Sequence, residues 1–298
     1  MNDIINRSAE HLAEIQHDLI ASHLRGKSVN TARAYAADFR AFGLFLSAPG
    51  AEAVEMLVTA NKAEAFAVVL NWRNQMIEQG LSPATINRRL SALRSVVKLG
   101  RMSGVCDWSL EVDNVASESY RDTRGPGVKA IKRMLALAIK ESARDYLMFR
   151  LLFDLGLRRS EVAGLRLIDI CEVDDRIVLM VLGKGKRERV PMTLPDATVK
   201  ALVGWLQERG QAPGNLFLGM KDHTVYDTVA KYAKRINVRC TPHGFRHTAI
   251  TEAARITGGD VIKMKKFSRH ANVNTLLKYV DNEADHALDI SNALSKED

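Results

Sequence analysis

The hydrophobic pattern of the first 115 or so residues is helical. Ser28 has the side chain of a helix N-cap. After it, Thr31, Tyr35, Asp38/Phe39, Phe42 and Leu46 recur at the period of one helix face, with Arg33 and Arg40 turned away. A further helix is predicted over residues 64–79, ending at Gly80. Ser82-Pro83 then joins a capping side chain to the residue best tolerated at the first helical position, and Ile86, Leu90, Leu93 and Val97 form a stripe running to about Gly104. Beyond Asn114 the pattern disappears. The stretch NVASESYRDTRGPG is polar, lacks a period and ends in Gly-Pro-Gly, which marks a linker.

After the linker, helices are predicted over residues 128–140 and 143–155. Two β-type runs follow, 176–182 and 188–192, flanking Gly183-Lys184-Gly185-Lys186. Helical patterning returns over 195–209, 224–235, 242–256, 261–267 and 273–280. The expectation is a mainly α chain: a helical domain over residues 1–115, a linker over 116–127 and a mixed α/β domain over 128–298. The second domain would carry one small hairpin or three-stranded antiparallel sheet.

Composition narrows the class. A chain of 298 residues suits two domains, and 46% hydrophobic residues with only 7 Pro and 19 Gly exclude a disordered or fibrous protein. No apolar run approaches the roughly 20 residues of a membrane span. The N-terminal stretch lacks the apolar core of a signal peptide. Cys106, Cys171 and Cys240 are an odd number far apart, which argues against a disulfide framework. A soluble protein of the reducing cytoplasm, without a membrane partner, is expected.

Charge is unevenly placed. The whole chain carries +8, the segment 282–298 carries −4, and the remaining body therefore carries +12. Such a body suits a polyanion, although excess Lys and Arg often serves solubility alone. On the helix that follows Ser82, Arg94, Lys98 and Arg101 fall at i, i+4 and i+7, with Arg88 and Arg89 one to two turns earlier. This row is either a solvated face or a phosphate-contacting, DNA-binding one.

Individually the chemical motifs are weak. Gly183-Lys-Gly-Lys lacks the remainder of a phosphate-binding loop and reads as a hairpin turn. Cys240, His243 and His247 lie close enough to suggest zinc, but no second ligand pair follows at finger spacing and Arg246 would sit beside the ion, so no metal is expected.

Taken in order, four segments resemble the tyrosine recombinase (phage integrase, Xer-like) family. They are Gly156-Leu157-Arg158-Arg159-Ser160-Glu161, then Gly183 to Pro191 (GKGKRERVP), then Pro242-His243-Gly244-Phe245-Arg246-His247-Thr248, and finally His270 followed nine residues later by Tyr279. The Thr31/Tyr35/Asp38/Phe42 stripe is similar to that family's N-terminal core-binding domain. Two positions depart from the family pattern: Ser268-Arg269 stands where Leu-Gly is usual before His270, and Phe245 stands where Leu is usual.

The resemblance implies a SAM-like helical core-binding domain and a catalytic domain of the DNA breaking-rejoining type, closing on double-stranded DNA. It implies cleavage by Tyr279 through a covalent 3′-phosphotyrosyl link. Charge building on the non-bridging phosphate oxygens is best met by bidentate guanidinium groups, the part that fits Arg158 and Arg246. Lys184 would be the general acid for the leaving 5′-oxygen, His243 the aid to proton transfer at the tyrosine, His270 a hydrogen-bonding partner of the phosphate, and Glu161 a supporting acid. No cofactor, neither ATP nor metal, is implied.

The expected assembly is a homo-tetramer on synapsed DNA, with room for a second recombinase or an accessory protein, and the acidic tail either packs on its own domain or docks into a neighbour. Singly, these residues also have ordinary structural readings. Arg158 and Glu161 could be a helix ion pair, and Tyr279 a half-buried core aromatic; His247 and Arg159 are read as structural. The competing functions are a relaxing topoisomerase or transposase with the same chemistry, and a non-cleaving DNA-binding protein of the same fold.

Overall fold

The computed structural model describes residues 19–116, 125–183, 188–270 and 272–280, together with Ser295. The chain divides into two compact units, Met1–Ser119 and Tyr120–Asp298.

The first unit is helical: α1 (Leu19–Arg25), α2 (Val29–Leu46), α3 (Gly50–Thr59), α4 (Lys62–Glu78) and α5 (Pro83–Met102). The predicted caps are in place, since Ser28 Oγ accepts from the Thr31 amide and Ser82 Oγ from the Thr85 amide. Helix α3 was not predicted, although Ala53, Val54, Leu57 and Val58 recur at the helical period and form its buried face. Its N-cap is Pro49, which offers no capping side chain. The sharp turn from α2 into α3 relies on glycines, because a Cβ on Gly43 would lie 2.5 Å from the Ala48 carbonyl oxygen and one on Gly50 2.9 Å from the Arg40 amide.

The core of this unit gathers Phe39 and Phe42 of α2, Val54 and Leu57 of α3, Val69 and Trp72 of α4, and the whole Ile86/Leu90/Leu93/Val97 stripe of α5. Trp108 closes it, donating from Nε1 to the Ala60 carbonyl at 3.1 Å. Asp38, grouped with the apolar stripe in sequence, is buried as a carboxylate facing Arg88 at 2.5 Å and Arg89 at 3.8 Å. Burial raises its pKa, and the two guanidinium groups oppose that shift.

The second unit runs α6 (Val128–Glu141), α7 (Ala143–Asp154), α8 (Arg159–Ala163), β1 (Ile170–Val173), β2 (Arg176–Leu182), β3 (Arg189–Thr193), α9 (Asp196–Arg209), α10 (Asp222–Arg235), α11 (Pro242–Thr257), α12 (Val261–Ser268) and α13 (Asn274–Val280). The sheet is three-stranded and antiparallel in the order β1-β2-β3. Leu182 pairs with Arg189 across the mouth of the β2–β3 hairpin. Strand β1 was not predicted: at four residues it is too short to show alternation.

Buried Phe149 of α7 organises the core, 5.0 Å from the Tyr232 ring of α10 and 5.2 Å from the Phe245 ring of α11. The departure at Phe245 is therefore a core substitution. Its ring fills space against Phe149, and such aromatic pairs contribute about 0.5–1.5 kcal/mol beyond area burial. Anchored this way, α11 is fixed at the residue next to Arg246.

Candidate active site

The sharp end of α7 begins the site. Gly156 follows it at φ +54°, in the left-handed region that favours glycine. Two residues on, Arg158 is the N-cap of α8, and Glu161 at the third helical position accepts the Arg158 backbone N–H at 2.8 Å. The same carboxylate takes the Arg158 guanidinium, Nη1 to Oε1, at 2.8 Å. The side chain of Glu161 is 2% exposed and that of Arg158 30%. The spacing that read as a helix pair thus orients the Arg158 guanidinium while leaving part of it open to a ligand.

Arg246 is the hub. It is buried on α11, donates from Nη1 to the Gly156 carbonyl and from Nη2 to the Ser268 carbonyl, and lies 3.4 Å from His270 Nε2. Burial, then the like charges of Arg158 and Arg269, push its pKa down to about 10, so it remains a cation at neutral pH. A buried cation held by carbonyl dipoles is costly unless an anion is its working partner.

His270 is held from the other side. Its Nδ1 lies 3.0 Å from the buried hydroxyl of Ser268. Arginine has only donors, so the neutral ring accepts from Arg246 at Nε2 and donates from Nδ1 to Ser268 Oγ. Burial, followed by Arg246 and Arg158, pushes the His270 pKa down to about 4. His243, at the start of α11, is lowered by the same three causes in the same order. Both rings are therefore neutral at physiological pH, and a neutral imidazole can accept a proton.

Tyr279 of α13 is buried against Ile250 and Ala254 of α11, Met264 of α12 and Leu276 of its own helix. Its ring centroid is 6.4 Å from that of His270 and 4.5 Å from that of His247. Burial raises the phenol pKa, and the Arg246 charge pulls it part of the way back. Such a phenol needs a nearby base to become a nucleophile. His247, the ring packed against Tyr279, lies 5.9 Å by ring centroid from His243.

Arg158, Glu161, His243, Arg246, His270 and Tyr279 are thereby linked by direct contacts or by mutual electrostatic influence. Lys184 lies outside the described residues, as do Lys186 and most of the tail 282–298. Gly156 and Ser268, present in the motifs without an assigned role, supply the carbonyls that hold Arg246, and His247, read as structural, lies against Tyr279. For His247 the available signal was its i, i+4 relation to His243. In the sequence Arg269 is a departure that adds charge beside the site. It is the left-handed C-cap of α12 at φ 56°, a conformation that costs a non-glycine residue roughly 1–2 kcal/mol.

The basic row of α5 behaves differently along its length. Arg88 and Arg89 face Asp38, Arg94 donates to Asn114 Oδ1 at 3.0 Å and to the Val112 carbonyl, and Arg101 donates to Ser109 at 2.6 Å. Lys98 is exposed. Among the described residues no cluster of three or more His, Cys, Asp or Glu could hold a metal, and Cys240, raised to about 12 by burial, is an unreactive thiol. No single described helix is long and apolar enough to cross a membrane.

Comparison with known proteins decides the family. Residues 128–286 match the model of the phage integrase family, and residues 21–99 match the N-terminal SAM-like domain of phage integrases. The chain belongs to the phage integrase family of tyrosine recombinases. A tyrosine recombinase of Synechococcus elongatus is 39% identical over 91% of this chain and 90% of its own length, and one from Synechocystis is 33% identical over 97% and 98%. In fold, the chain is similar to the XerH site-specific recombinase in a post-cleavage complex with its difH substrate, with a TM-score of 0.69 at 17% identity. That match covers 91% of this chain and 82% of the other. As a tyrosine recombinase the chain is of the DNA strand-transferase class, with a SAM-like helical domain followed by the catalytic domain that holds Arg246 and Tyr279.

Proposed function

We propose that this recombinase cuts and rejoins double-stranded DNA at a specific site with Tyr279 as nucleophile and the neighbouring residues in the roles the family resemblance implies. Tyr279 Oη forms a bond to the scissile phosphorus as the P–O5′ bond breaks. The phenol proton passes to His243, and the departing 5′-oxygen takes a proton from Lys184. The chain is left on the 3′-phosphate, and attack by a 5′-hydroxyl of the partner duplex reverses the step. One phosphodiester is exchanged for another, so the reaction draws on no nucleotide hydrolysis.

Arg158 and Arg246 face the charge on the non-bridging oxygens. Donation from His270 to the phosphate calls for the ring's other tautomer, in which the Ser268 hydroxyl donates to Nδ1 and Nε2 carries the proton. Glu161 fixes Arg158. The DNA-bound form is a homo-tetramer on two synapsed duplexes, open to a second recombinase or an accessory protein, and it works in the cytoplasm. On α5 the exposed Arg88, Lys98 and Arg101 contact phosphate, while Arg94 is held by Asn114 and Val112.

The observation that carries this reading is the buried Arg246, held between the carbonyls of Gly156 and Ser268 beside His270 and Tyr279. Covalent trapping on a random-sequence duplex library tests it. Wild type should retain a defined sequence after denaturation and Tyr279→Phe should retain none. Equal DNA binding with no adduct from either protein would favour the non-cleaving alternative.

A further inference from the structure

Three consecutive residues, Ser268, Arg269 and His270, connect to both arginines of the site, directly or through Glu161. Ser268 and His270 contact Arg246 directly. Arg269 reaches the other arginine through Glu161: its Nη2 lies 2.9 Å from Glu161 Oε2, while Arg158 Nη1 lies 2.8 Å from Oε1 of the same carboxylate. Its guanidinium also donates to Met192 of β3, and its side chain is 12% exposed. Arg269 is thus largely shielded, charged and in a left-handed backbone conformation, where glycine would sit without strain.

A buried carboxylate paired with one guanidinium cancels that cation's field. Shared between two, it cancels only half of the pair, and the group that stays open to solvent keeps net charge to offer. Here the open group is Arg158 and the closed one is Arg269. We propose that Arg269 is a positioning residue for strand cleavage: by taking up the Glu161 charge it leaves the Arg158 cation uncompensated toward the scissile phosphate. The inference rests on the function proposed above.

Two variants separate charge from backbone strain. Arg269→Gly removes the charge and suits the left-handed position. Arg269→Lys keeps the charge and the unfavourable backbone. The experiment compares single-turnover cleavage of a nicked duplex carrying the trapped sequence with equilibrium binding of the same duplex, and thermal melting confirms folding.

Arg269→Gly should slow cleavage by about 10–100-fold, the usual effect of removing a partner that orients a reacting group. Its duplex affinity should stay within about threefold, and Arg269→Lys should recover much of the rate. A purely structural role predicts the reverse order, with glycine at least as active as arginine. Wild-type cleavage by Arg269→Gly, or equally slow cleavage by both variants, would overturn the inference and leave the proposed function standing. A wild-type protein that traps no DNA would overturn both.

Discussion

The imidazole of His247 lies 4.5 Å from the ring of Tyr279, tilted by 41°, and is the nearest ring to that tyrosine among the described aromatic contacts. It sits one turn beyond His243 on α11, so the helix that carries both histidines also forms the wall against which the tyrosine rests. Replacing His247 with alanine should lower stability by about 0.5–1.5 kcal/mol, the range for a lost aromatic pair. Cleavage should slow by roughly 10- to 100-fold through misplacement of the phenol. Melting curves and single-turnover rates measured together check this, and an unchanged rate would remove His247 from the account.

Arg246 donates from two different nitrogens to carbonyls more than twenty residues away on either side. Lysine can carry the charge but not that fork. Arg246→Lys should therefore lose about 10²-fold or more in cleavage rate while duplex affinity, spread over many phosphate contacts, changes little. Comparable losses in affinity and rate would mean that the residue serves binding alone.

The two lowered histidines set a pH dependence of stability. His270 is held near 4 and His243 below its ordinary value, whereas both return to about 6.5 on unfolding. Between those values the unfolded chain binds protons that the folded chain refuses, so stability rises with pH across the window. The His270 contribution is complete above pH 6.5 and is lost as pH falls toward 4, and His243 adds a loss in the same direction. Thermal melts of wild type and His270→Asn over this range check it. The variant should show a shallower acid decline, and parallel curves would refute the assignment.

On α5, exposed Lys98 and internally bonded Arg94 should part company. Lys98→Ala should leave the melting temperature alone and reduce the slope of log affinity against log salt by about one. Arg94→Ala gives up its bonds to Asn114 and Val112 and should cost about 1–3 kcal/mol of stability. Salt titrations of DNA binding beside chemical denaturation distinguish the two.

Much of this architecture was legible because the relevant signals are local. Ser28 and Ser82-Pro83 cap helices where the pattern placed them, and Ile86, Leu90, Leu93 and Val97 are all buried in the first core. Helix α3 escaped because Pro49 supplies no capping side chain and the tight fit of Gly43 and Gly50 depends on the neighbouring helix. Strand β1 escaped because four residues carry too little period.

At the site, the family-like motifs pointed to Arg158, Arg246 and Tyr279 in order, but spacing cannot show which groups share a carboxylate. That Glu161 is divided between Arg158 and Arg269, 108 residues apart from the latter, is a property of tertiary packing. Asp38 shows the same limit. It falls on an apolar stripe in sequence and becomes intelligible only once Arg88 and Arg89 of α5 are seen beside it.

Tyr279 should join the 3′-phosphate of a cut strand. This link is tested most directly by trapping the adduct on a defined duplex in the presence of a metal chelator, digesting it, and locating the nucleotide-bearing peptide by mass spectrometry. The released strand is labelled at its 5′ end in parallel. The account predicts a single modified peptide with the nucleotide on Tyr279 and a 5′-hydroxyl that accepts label without prior phosphatase treatment. A nucleotide on any other residue, or a cut strand bearing a 5′-phosphate, would contradict it.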